Sequence, residues 1–133
     1  MNRPAAALTV WIVDDDLGFV WWLGEMFTAV GCRALPALST EQAALLMKKL
    51  ELGIDLLVVN PDLPGVSGML QNLRRVNRNL KIVVIGKASQ ALTAAIHPQA
   101  NLERPSGSEP ISRPEWLKKV RRLLRQVKAA AAD

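Results

Sequence analysis

LTVWIVDDD at residues 8–16 and DLLVVNPDLPGVSG at residues 55–68 share one plan, a continuous apolar run that meets a polar group at its carboxyl end. Runs this short and this uniformly apolar suit strands buried on both faces, as in a parallel sheet. KIVVI at residues 81–85 repeats the pattern and ends at Gly86. Two weaker strands complete the set, at Arg33–Ala37 and Gln99–Glu103. Pro36 cannot donate to a ladder, so the strand that holds it belongs at a sheet edge.

Helical patterns fill the intervals. Leu17–Val30 carries Phe19, Trp22, Leu23, Met26, Phe27 and Val30 at spacings of three and four, with Gly31 as the stop. Ser39-Thr40-Glu41-Gln42 has capping-box character and opens a helix that stops at Gly53. Gly68–Val76 places Leu70, Leu73 and Val76 on one side, and Ala88–Ile96 is a short helix. After the polar segment Pro105–Arg113, the last helix, Pro114–Val127, has Trp116, Leu117, Val120, Leu123, Leu124 and Val127 as its apolar stripe. Strands alternating with helices imply right-handed crossovers and a parallel sheet covered on both faces. In such an α/β fold the working site lies at the carboxyl ends of the strands. The positions that matter are therefore Asp14-Asp15-Asp16, Asn60, Gly86 and Arg104.

Composition narrows the function. The chain has 133 residues, half of them apolar, which suits one domain spanning 1–128 with a frayed alanine-rich tail at 129–133. Its net charge of +5 is local: Arg113–Lys128 holds seven basic residues and one acid, and everything else sums to −1. A single cysteine, Cys32, excludes an internal disulfide framework and a multi-Cys zinc site. A lone His97 argues against a Ser-His-Asp site, and it reads as a loop residue. No apolar run reaches transmembrane length, and Ala5–Val13 runs into three acids instead of a cleavage pattern. The expected location is cytoplasmic, with no membrane association.

The two opening stretches, in order and with this alternation, resemble the receiver domain of two-component response regulators over residues 8–127. The spacing of Pro64 and Gly68 after the third strand follows that family's loop. The resemblance implies a flavodoxin-like (CheY-like) doubly wound sheet of strand order 2-1-3-4-5. It also implies self-catalysed phosphorylation of an aspartate at the end of strand 3. In that scheme a magnesium ion is held by an acid pair after strand 1. A Ser or Thr after strand 4 and a Lys after strand 5 bind the phosphoryl oxygens.

Mapped onto this chain, the acid pair is intact as Asp14 and Asp15. The acceptor position is Asn60, an uncharged amide that cannot form an acyl phosphate. The hydroxyl position is Gly86, the lysine position is Arg104, and the aromatic switch position is Asn101. The reading is a degenerate pseudo-receiver that binds no cofactor, or magnesium only weakly through Asp14 and Asp15. The acids also suit a plain helix cap, since carboxylates favour a helix N-terminus. Arg104 is a candidate occupant of the pocket, its planar fork pairing with Asp15 in place of a metal. The alternative acceptor is Asp62, two residues beyond Asn60.

A module without phosphoryl chemistry is no enzyme, and it acts by contact with a kinase, phosphotransfer or effector domain. Val20 and Trp21 lie beside the apolar stripe of the first helix and are candidate contacts. Trp116, if exposed, offers a homodimer surface on the last helix. Lys118, Lys119, Arg121, Arg122, Arg125 and Lys128 on that helix open an alternative role as a nucleic-acid accessory domain. No recognition motif accompanies them, so sequence-specific reading is not expected.

Overall fold

A computed structural model of the chain describes residues 8–50, 53–105 and 112–132. The elements alternate as β1 (Thr9–Val13), α1 (Leu17–Ala29), β2 (Arg33–Ala37), α2 (Thr40–Leu50), β3 (Leu56–Val59), α3 (Val66–Val76), β4 (Lys81–Ile85), α4 (Gln90–Ile96), β5 (Ala100–Leu102) and α5 (Arg113–Ala132). The five strands form one parallel sheet in the order β2-β1-β3-β4-β5. Pro36 sits in β2, at the edge, where its missing N–H costs no ladder bond.

Strand alternation splits the core in two. Val10, Ile12, Val58 and Val83 pack under α1 and α5 with Leu23, Phe27, Val120 and Leu124. Trp11, Val13, Leu57, Val59 and Val84 face the other way, with Ala43, Leu70 and Ile96. Every residue of β1 and β3 is buried, as their uniform apolarity demands. At the start of α2, Ser39 Oγ accepts from the Gln42 N–H at 3.0 Å, and Gln42 Oε1 accepts from the Leu38 N–H at 2.6 Å. This is the reciprocal capping that the sequence suggests, closed one residue earlier than the standard box.

Two features differ from the sequence reading. Val76 is 83% exposed and does not share a stripe with Leu70. Helix α3 begins at Val66, and at about 100° per residue its buried face is Val66, Leu70 and Leu73, which leaves Val76 to one side. Helix α5 extends through Ala132, so the alanine-rich tail continues the helix as far as that residue. Alanine has the highest helix propensity, which carries the helix past its last packed turn. The polar segment after Pro105 falls at 106–111, outside the described residues.

Arg74 braces the far end of the sheet. Its guanidinium donates to the carbonyls of Leu80, of Ile96 at 2.6 Å and of Arg78 at 3.3 Å. One side chain thus ties α3 to the entry of β4 and the exit of α4. Arg74→Met keeps the apolar stem and strands these carbonyls. It is expected to cost about 2 kcal/mol in urea unfolding, the scale of losing charge-assisted hydrogen bonds.

Candidate functional site

Sheet register builds the site before any side chain is considered. Val13 is level with Val59, so the residues that follow, Asp14 and Asn60, leave the sheet side by side. Backbone bonds extend the ladder to both: the Asp14 N–H donates to Ala37 O at 3.1 Å and the Asn60 N–H to Val13 O at 2.9 Å. Alternation puts Asp14 on the side of Ile12, facing α1, and turns Asp15 away into solvent.

Asp14 is 0% exposed, with a hydrogen bond at one carboxylate oxygen and an ion pair at the other. Its Oδ1 accepts from Asn60 Nδ2 at 2.9 Å, and its Oδ2 lies 2.6 Å from Arg104 Nη1. Arg104 arrives from the loop after β5 with its guanidinium 5.0 Å from the Phe19 ring centroid, a cation–π contact. Asp16 Oδ2 stands 3.9 Å from the same Nη1, while Asp16 Oδ1 caps α1 by accepting from the Phe19 N–H at 3.1 Å. Asn60 is spanned in turn, for its Oδ1 accepts from the Asp62 N–H at 2.9 Å. Burial works against the Asp14 charge and is the largest single influence on it. The Arg104 and Asn60 hydrogen bonds and the Arg104 charge together outweigh it and hold the carboxyl below its ordinary range. The same pairing with Asp14 raises the Arg104 pKa, against the effect of burial.

The pairing corrects one expectation. Arg104 meets Asp14 and Asp16, not Asp15, which lies exposed in the bend after β1. Asp62 is exposed, and its backbone, not its carboxylate, joins the network. Gly86 and Asn101 are brought together at the neighbouring strand ends. Asn101 Nδ2 donates to Gly86 O at 3.0 Å, and the Gly86 N–H donates to Leu102 O at 2.8 Å. Gly86 adopts φ +81°, backbone that a residue with a Cβ rarely takes. Where the resemblance implied a hydroxyl and a mobile aromatic, the loop is tied by one backbone bond and the Asn101 amide.

The placed residues fit a magnesium ion poorly. Both oxygens of the buried carboxylate are occupied, one by an amide and one by a guanidinium that already supplies the positive charge. Among the described residues, no cluster of three or more His, Cys, Asp or Glu is arranged to hold a metal.

Two contact candidates are withdrawn from the surface. Val20 is buried, and so is Trp116, which lies edge-on to Trp22 with ring centroids 4.8 Å apart. Trp22, which the sequence stripe places in the core, is only half-buried, so the inward face of α1 is turned toward Val20. Trp21 remains 66% exposed beside a groove of about 600 Å³ between α1 and β2, which Glu25, Thr28, Ala34 and Arg113 also line. Phe19 beneath Arg104 and the approach of Asp16 to that guanidinium were not foreseen, whereas a helix cap from the acids was. An acid three residues before the first buried aromatic of a helix was the available sign.

No family model matches the chain, and no curated protein matches its sequence. Solved structures do match its shape. A CheY-like receiver domain protein from Methanospirillum hungatei superimposes with a TM-score of 0.70 at 15% identity, over 94% of this chain and 99% of the other. The chain has the receiver-domain fold. A receiver-fold response regulator from Thermotoga maritima, solved in complex with Mg2+ and BeF, gives a TM-score of 0.63 at 20% identity, over 87% of this chain and 98% of that one. The CheX–CheY–BeF3–Mg2+ complex from Borrelia burgdorferi gives 0.64 at 21%, covering 88% and 89%. Set in this receiver fold, the Asp14–Asn60–Arg104 cluster occupies the carboxyl ends of the central strands. Among the described residues, no helix is long and apolar enough to cross a membrane.

Proposed function

We propose that this chain is a receiver-type signalling module that works through protein contacts without aspartyl phosphorylation. The observation that carries this reading is the double engagement of Asp14, by the amide of Asn60 at 2.9 Å and by Arg104 at 2.6 Å. An amide at the end of β3 cannot attack phosphorus as a carboxylate does. A guanidinium on Asp14 supplies in a fixed form the charge that a metal would bring only when bound. Such a site holds one conformation, and any change of state comes from a partner that prefers another.

The contact surface that best suits a kinase, phosphotransfer or effector domain is the exposed ring of Trp21 with the groove beside it. Buried Trp116 gives no support to a homodimer through the last helix.

Intact mass after incubation with acetyl phosphate and magnesium tests the reading. The wild type is expected to gain no phosphoryl group. An adduct on the wild type overturns the proposal, and its loss in Asp62→Asn would identify the unorthodox acceptor. Asn60→Asp, run alongside, reports whether the pocket accepts a phosphoryl group once a carboxylate is restored.

A further inference from the structure

The outer face of α5 is cationic, and among the described residues Lys119 alone of its cations makes a contact within the fold. Lys118, Lys119, Arg121, Arg122 and Arg125 are all exposed. None has a carboxylate within ion-pair distance among the described residues, where the ion pairs all belong to Arg104. At about 100° per residue, Lys118, Arg121, Arg122 and Arg125 share one stripe. That stripe lies opposite the buried residues Trp116, Val120, Leu123, Leu124 and Val127. Lys119 stands at its margin with its ammonium 4.7 Å from the Trp116 ring centroid. Five like charges on one side of a helix repel one another and destabilise it by a few tenths of a kcal/mol per i,i+4 pair. Fold stability does not account for them.

The chemistry of the face selects its partner. A membrane-bound amphipathic helix inserts its apolar side, and here that side is packed into the core. A protein interface centres on desolvated apolar or aromatic anchors and is poor in lysine. The aromatic residue of α5 is buried, and among the described residues the outer face from Glu115 to Gln126 presents cations and the polar groups of those two residues. A rigid row of cations without an apolar centre matches a nucleic-acid phosphate backbone, where affinity comes from counterion release and no base need be read.

We infer that α5 is a sequence-independent binding face for duplex nucleic acid, engaged through Lys118, Arg121, Arg122 and Arg125. It lies apart from the Asp14–Arg104 cluster, and it stands or falls independently of the proposed signalling role.

The test is fluorescence anisotropy of the full chain with a labelled 30-base-pair DNA of arbitrary sequence, titrated at several salt concentrations. With four phosphate contacts, log K is expected to fall against log salt with a slope of about −3.6, a loss of roughly a hundred-fold between 50 and 200 mM. The double variant Arg122→Gln, Arg125→Gln is expected to halve that slope. Lys48→Gln, Lys49→Gln removes the same charge from exposed positions on α2 and is expected to leave it unchanged. All four side chains are exposed, so the variants retain the fold, which far-UV circular dichroism checks. Equal effects of the two double variants, no salt-dependent binding at 50 mM, or tighter binding to phosphatidylserine vesicles than to the duplex would each overturn the inference.

Discussion

Arg104→Ala is expected to lower stability at pH 7 by about 2 kcal/mol, read as a shift in the urea midpoint with an unchanged slope. Removing one partner of a fully buried pair costs roughly 3–5 kcal/mol, and an exposed pair contributes about 0.2–1. This pair lies between, since Asp14 is 0% and the Arg104 side chain 37% exposed. For a domain of this size the melting temperature should fall by about 7 °C. Phe19 loses its cationic cover, and Asp14 keeps only the Asn60 amide against its desolvation.

The pH dependence carries the sign of the cause. In the wild type the folded Asp14 pKa is depressed. Its contribution is therefore complete above the unfolded carboxylate value, about 3.9, and is lost as pH falls through the lower folded value. Without Arg104, burial dominates and the folded pKa rises, so that above it the ionised carboxylate weakens the fold. The gap between variant and wild type should be full at pH 7 and narrow in acid. A gap that stays constant down to pH 3 would mean that Arg104 acts by packing alone. Arg104→Lys should recover part of the loss, since it restores charge but not the planar fork.

Trp11→Ala is expected to cost about 4 kcal/mol, the largest effect of any single change considered. The side chain is fully buried in β1, level with Leu35 of β2 and Leu57 of β3, and packs with the α2–α3 side of the core. Truncating a large core aromatic loses its transfer energy and leaves a cavity, together about 3–5 kcal/mol. Natural domains are stable by roughly 5–15 kcal/mol, so the variant should approach its unfolding threshold. The indole Nε1 is buried without a hydrogen-bond partner. Trp11→Phe removes this stranded donor, whose desolvation costs about 1–3 kcal/mol, and keeps a ring in the core. Its loss should therefore stay below about 1.5 kcal/mol. Equal losses in thermal unfolding for the Ala and Phe variants would show that the indole is not held as described.

Much of this was legible in the residues. The limits of β2 and β4, the edge position of Pro36 and the strand–helix alternation follow from local runs and periodicities, while the 2-1-3-4-5 order is what the receiver resemblance implied. These are short-range properties that the backbone cannot evade. The proposed loss of phosphoryl chemistry also rests on the residues themselves, since an amide at 60 and a glycine at 86 carry neither carboxylate nor hydroxyl.

What the residues alone left open depends on register and rotation. Asp14 meets Asn60, 46 residues away, because β1 and β3 are in register, and Arg104 reaches Asp14 while Asp15 lies exposed in the bend after β1. Val20 rather than Trp22 faces inward because α1 rolls on the sheet while Trp22 meets Trp116 at its flank. Arg74 reads as one more surface cation until α3, β4 and α4 converge on it. A periodicity names the face of a helix that is apolar. Only the packed neighbours decide how far that face turns and which of several nearby acids a cation reaches.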